Sequence, residues 1–157
     1  MIQRIQSVWL LLSGLVLTTL FLFPYVNYID LVGLGKQIYV SGIYTSVNNE
    51  AVKQESFILQ SIVAVFIAVM PLVLIFLYKD RKRQIKFIYL QLVLIVLFAV
   101  WMYVSANNVL SANNQYLSAN NIGIGFFLLP VSIIFLSMAL GAIRNDEKLI
   151  KSADRLR

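Results

Sequence analysis

The chain contains no cysteine and no histidine, and only three prolines among its 157 residues. Without cysteine, neither a disulfide framework nor a thiolate metal site is possible. Without histidine, the commonest general base and the commonest metal ligand are both missing. Charge is scarce too: Asp, Glu, Lys and Arg make up 13% of the residues, about half the share usual in a soluble domain. The remainder is largely apolar. Hydrophobic residues account for 60% of the chain and the mean hydropathy is +0.81, which excludes an ordinary water-soluble globule.

The apolar residues lie in four runs, 5–23, 57–78, 87–104 and 122–143, none of which contains an acidic or basic side chain. Each reaches the length of the ~30 Å hydrocarbon core when helical. The expected fold is therefore an all-α integral membrane protein, a four-transmembrane-helix bundle forming a single membrane domain. Run 5–23 reads as a retained span, because its apolar stretch exceeds a signal-peptide core and "FLFPYVNY" offers no small-x-small cleavage site.

Cation placement orients the spans. Loop 79–86 carries Lys79, Arg81, Lys82, Arg83 and Lys86, the tail 144–157 carries five more, and Arg4 precedes the first run. Segment 24–56 holds only Lys36 and Lys53, and loop 105–121 holds no charge. Eleven of thirteen cations thus fall on one side, which the positive-inside rule assigns to the cytoplasm. Both termini are expected there. The net charge of +6 is then read as topogenic and as contact with anionic lipid headgroups, through Lys79, Arg81, Lys82, Arg83 and Lys86. No nucleic acid is implied.

The two outer loops differ in kind. "KQIYVSGIYTSV" at 36–47 reads as a small extracytoplasmic β-hairpin turning at Ser41-Gly42, with a further strand considered at 25–32. A lone hairpin is marginal, so Ile38, Val40, Ile43 and Tyr44 are candidate contacts to helix ends or to a partner. Loop 105–121 repeats Ser-Ala-Asn-Asn three times and reads as a tolerant, turn-rich loop. At the other end, Leu149, Ile150, Ala153 and Leu156 gather on one face of a short cytoplasmic C-terminal helix, which either extends the fourth helix as an anchor or, if Asn145 caps a new helix, lies on the lipid surface or docks on a partner.

Chemistry is nearly absent. "GLGK" at Gly33–Lys36 lacks the spacing of a phosphate loop. Ser132 and Ser137 have no base in any run to activate them, and no ionisable group lies at membrane depth for an ion or proton relay. No cofactor and no catalytic or metal-ligating residue is expected. Gly14, Ala64, Ala68 and the pair Gly123/Gly125 suit close helix packing. Pro71 and Pro130 interrupt the second and fourth runs, and neighbouring helices are expected to satisfy the carbonyls they free. Gln6, Gln60 and Gln91 are expected to bond between helices or sit near an interface.

The opening "MIQRIQSVWLLL" and the closing "AIRNDEKLIKSADRLR" resemble the Bacteroidota membrane family of domain of unknown function 4293, over essentially the full length. The resemblance implies a Gram-negative inner-membrane protein and supplies no catalytic residue, ligand or activity. The expected role is a non-enzymatic accessory or scaffold subunit of a larger inner-membrane assembly, with protein export or envelope biogenesis as a conceivable setting. The partners would be other membrane subunits or further copies of the chain. The alternative is a small oligomeric transporter or channel with a pathway beside the Pro-kinked helices. A claudin-like layout, used for lateral assembly, is a third reading by analogy alone.

Overall fold

The computed structural model describes residues 3–29, 34–47, 50–112 and 114–155. Helix α1 (Gln3–Thr18) ends in a 3-10 turn, Thr19–Phe21, and four strands follow: β1 (Val26–Ile29), β2 (Gly35–Tyr39), β3 (Gly42–Val47) and β4 (Glu50–Ser56). Then come α2 (Ile58–Phe76), a 3-10 turn Leu77–Lys79, α3 (Arg81–Ala112), a 3-10 turn Ala119–Asn121 and α4 (Ile124–Arg155).

The expected all-α bundle of four spanning helices is corrected. Three helices, Ile58–Phe76, Arg81–Ala112 and Ile124–Leu149, are long and apolar enough to cross a membrane. The first apolar helix is shorter, Ile5–Phe21. It tightens where Thr18 and Thr19 donate their hydroxyls back to the carbonyls of Leu15 and Val16, each at 2.7 Å. Such local bonds compete with the helical ladder, and Pro24 follows. The lone hairpin is corrected as well. Its two strands are the inner pair of a four-stranded antiparallel sheet of order β1-β2-β3-β4.

All four helices share one packing rhythm. Buried residues recur at spacings of four and three: Gln6, Leu10, Ser13 and Leu17 in α1, with Leu20 in the turn that ends it; Gln60, Ala64, Ile67, Pro71 and Leu74 in α2. The pattern continues as Gln84, Ile88, Gln91, Ile95 and Phe98 in α3, and as Leu129, Ser132, Leu136, Ala139, Ile143 and Asp146 in α4. That is the seam of helices packed at shallow angles. Polar side chains sit on the seam, whereas Leu59, Ile62, Phe66, Val93, Leu97, Val100 and Ile134 are exposed. A surface of this kind is stable in lipid rather than water. The protein is a membrane protein.

The seam also explains two boundaries. α4 passes through Asn145 without a break to Arg155, so the tail extends the last helix, the first of the two expected arrangements, and Asn145 caps no new one. α3 begins at Arg81 and reaches Ala112, which makes most of loop 79–86 helical and projects the helix beyond its apolar run. Its last turn closes where Asn114, at φ 53°, supplies the left-handed residue. The amides of Asn114 and Gln115 then bond to the carbonyls of Ser111 and Leu110, both at 3.0 Å, a Schellman cap. The three Ser-Ala-Asn-Asn copies thus take three forms: helix interior, helix cap and 3-10 turn.

One face of the sheet joins the helical core. Val26, Ile38 and Ile43 align across β1, β2 and β3 and are buried, with Tyr28 and Thr45 beside them. Val26, Tyr28 and Ile38 cluster with Ala106 and Leu110 at the outer end of α3. The turn after β2 rests on α2, whose Phe57 and Ser61 bond to the carbonyls of Ser41 and Val40. α4 docks on the link before β1. The amides of Gly123 and Gly125 bond to Tyr25 and Pro24 at 2.9 Å, and a Cβ on either glycine would collide with that backbone.

Candidate functional site

The sheet stands at one end of the helices and the charged segments at the other. The sheet end is built on register. Asn27, Gln37, Tyr44 and Lys53 pair across the four strands, on the face opposite the core. Tyr39 meets Tyr44 edge-on at 5.1 Å, and its hydroxyl donates to Gln37 Oε1 at 2.9 Å. The Lys53 ammonium lies 5.9 Å from the Tyr44 ring centroid. Beyond this row, a cavity of about 500 Å³ opens between the strands and the Ala119–Asn121 turn, with Asn27, Gln37, Thr45, Asn120 and Asn121 on its wall. Nearby, Gln115 ties the end of α3 to β1 by donating to the Ile29 carbonyl at 2.6 Å.

Lys36 lines the cavity as well, so these groups are amides, phenols, a hydroxyl and two ammonium groups. Such groups suit hydrogen bonding and stacking. Beneath the sheet, burial pushes the Tyr25 phenol up to about 12, with the Gln60 amide pulling the other way. Among the described residues, no group of three His, Cys, Asp or Glu side chains could hold a metal ion.

Three of the four outer residues singled out from the sequence, Ile38, Val40 and Ile43, are core positions at 5% exposure or less. Their apolar contacts are internal. Only Tyr44 reaches the outer face. β4, Glu50–Ser56, was missed because nothing in "EAVKQES" alternates. It pairs because β3 offers it an edge, with a register shift between Ile43 and Tyr44. Gly42 lies at that pairing with φ 147°, where a side chain would meet the Glu55 carbonyl.

At the other end, Arg81 is half-buried while Lys82, Arg83 and Lys86 are exposed. Asp80 pairs with Arg83 at 3.5 Å in an open setting. The side chains of Lys79, Ile150 and Ala153, and all of Leu156, lie outside the described residues. Leu149 is 57% exposed. Asp146 does not reach toward the cationic turn. It is buried and accepts a bond from Gln6 Nε2 across the α1–α4 seam. Alongside it, Arg144 donates to the Tyr89 hydroxyl and lies over that ring, tying α4 to α3.

The polar side chains within the helices act as clasps. Ser13 and Ser132 bond at 2.8 Å. Gln91 donates to the Ile67 carbonyl at 2.8 Å, the carbonyl that Pro71 leaves without its helical donor. Gln84 donates to the Leu74 carbonyl at 3.0 Å, closing the end of α2. The small residues sort likewise. Gly14 packs against Leu72 and the Ala68 carbonyl, while Gly141 faces open space.

A family model described as Domain of unknown function (DUF4293) matches residues 2–156. The chain belongs to this family. No curated protein matches it. What the DUF4293 chain does must be read from its own geometry.

Proposed function

We propose that the chain is a non-enzymatic accessory or scaffold subunit of a larger assembly in a bacterial inner membrane. In this reading the helices form a stiff stem that holds the sheet outside the cytoplasm, and the charged end faces inward. One observation carries it: Gln6, Ser13, Gln84, Gln91, Ser132 and Asp146, buried among the helices, bond from one helix to another, while Asn27, Gln37, Tyr44 and Lys53 line up on the sheet face turned away from the core. The clasp of Gln91 on Ile67 weighs against a transport pathway beside Pro71, since the freed carbonyl is already satisfied.

Co-purification in mild detergent tests the proposal. Gln37→Glu combined with Tyr44→Ala and Lys53→Glu should release a stoichiometric partner without lowering the thermal midpoint. Retention of that partner by the triple variant would remove the outer face from the interface. Selective ion or solute flux through proteoliposomes of the pure protein would overturn the scaffold reading itself.

A further inference from the structure

Two unlike surfaces meet at the α2–α3 corner. On the lipid side, Phe66, Val69, Met70, Val73 and Leu77 of α2 and its terminal turn, with Phe87 of α3, line a groove of about 230 Å³. Its wall is wholly apolar, and Phe66, Val69 and Val73 are exposed. Immediately beyond Leu77 the chain turns and enters α3 on Arg81, Lys82 and Arg83, with no acid in that first turn. Lys86 follows one turn later.

Three cations at a helix start are badly placed, because the dipole there is positive and the free amides favour an anion. Asp80 offsets them only in part, through one open contact to Arg83. Charge bias across a membrane accounts for the number of cations. It does not account for their crowding onto a helix start, or for an apolar groove that ends beneath them. Arg83 lies one helical turn before Phe87, so the two share a face. The bond from Gln84 to the Leu74 carbonyl holds the groove wall and the cationic turn in fixed relation.

We propose that this corner binds one anionic phospholipid. An acyl chain lies along the groove, and the phosphate sits over the start of α3 against Arg81, Lys82 and Arg83. The apolar wall suits a hydrocarbon chain and offers a peptide backbone no hydrogen-bond partner. The charge above it selects an anionic over a zwitterionic headgroup. That the lipid comes from the cytoplasmic leaflet rests on the orientation proposed above, whereas binding in detergent does not.

The test is a lipid titration of the purified full chain in mild detergent, read by native mass spectrometry and thermal midpoint. Phosphatidylglycerol and phosphatidylcholine with identical palmitoyl and oleoyl chains are compared. One phosphatidylglycerol should be retained in preference and should raise the midpoint. Arg81→Gln with Lys82→Gln and Arg83→Gln should weaken its binding roughly a hundredfold, the product of three ordinary lipid-facing cations. Val73→Trp, which fills the groove from its exposed side, should also abolish the preference, whereas Lys36→Gln with Lys53→Gln at the far end should preserve it. Soluble glycerol phosphate should give no protection, because it lacks the chain. Equal retention of both lipids by the unaltered protein would overturn the proposal. So would an undiminished preference in the triple variant or in Val73→Trp. Inverted topology with the preference intact would fault the orientation alone.

Discussion

Gln91 and Pro71 form a linked pair across two helices. The proline removes the amide that would bond to the Ile67 carbonyl, and the glutamine replaces it at 2.8 Å. Gln91→Leu should therefore cost about 1–3 kcal/mol in detergent unfolding, the penalty of a buried carbonyl without a partner. In a Pro71→Ala background, where the amide is restored, the same change should cost clearly less. Additive effects in the double-mutant cycle would break the link. Tyr25 behaves in the opposite way. Its buried hydroxyl lies near the Gln60 amide but makes no hydrogen bond of ordinary geometry with it, so Tyr25→Phe should stay within about 1 kcal/mol of the parent. Its phenol is pushed up from 10.0 to about 12, so the folded state holds this proton more tightly than the unfolded chain. The stability it contributes is complete below pH 10 and fades as pH rises toward 12. Tyr25→Phe should remove that alkaline loss, and a pH series of thermal midpoints checks it. Of these residues, Gln6 and Gln91 were legible as helix-to-helix donors because glutamine is costly in a span. Gln84 and Asp146 were not, since each sits within a charged stretch that reads as solvent-facing.

The repeat shows how far an element's surroundings override its sequence. Ala106, Ala112 and Ala119 hold the same place in three identical tetrapeptides. Ala106 is buried against the sheet at 1% exposure, while Ala112 and Ala119 are exposed. Ala106→Glu should destabilise by more than about 2 kcal/mol, the cost of burying an unpartnered charge. Ala112→Glu and Ala119→Glu should stay within about 0.5 kcal/mol. Equal responses at all three would contradict the extension of α3. At the cap, Asn114→Val should cost about 1–2 kcal/mol for the left-handed backbone, and Asn114→Gly should cost nothing. Turn propensity was a poor guide here because α3 runs on through residues that prefer turns and buries Ala106 and Leu110 in the core. The hairpin was legible from its β-branched and aromatic residues. β4 was not, because its strand form comes from pairing rather than from its own pattern.

At the scale of the molecule, the apolar runs made membrane residence plain but hid how the helices meet. A run that is apolar all round has no inward face to read. The four-and-three seam emerges only when Gln6, Ser13, Gln60, Gln91 and Ser132 are seen to fall inside it. The same seam carries α4 unbroken past Ile143 to Asp146, beyond the apolar run that defined the expected span. The result is a polarised object, with a sheet and polar cavity at one end and a cationic turn with two clasped helix ends at the other. Its orientation is the claim on which the scaffold reading rests, and single-cysteine labelling of spheroplasts tests it most directly. The chain has no native cysteine, so Lys53→Cys and Asn114→Cys can be compared with Asp80→Cys and Ser152→Cys in otherwise unchanged protein. An impermeant maleimide should label the first two in intact spheroplasts and the last two only after lysis. Labelling of Asp80→Cys or Ser152→Cys from outside, with Lys53→Cys protected, would contradict the account.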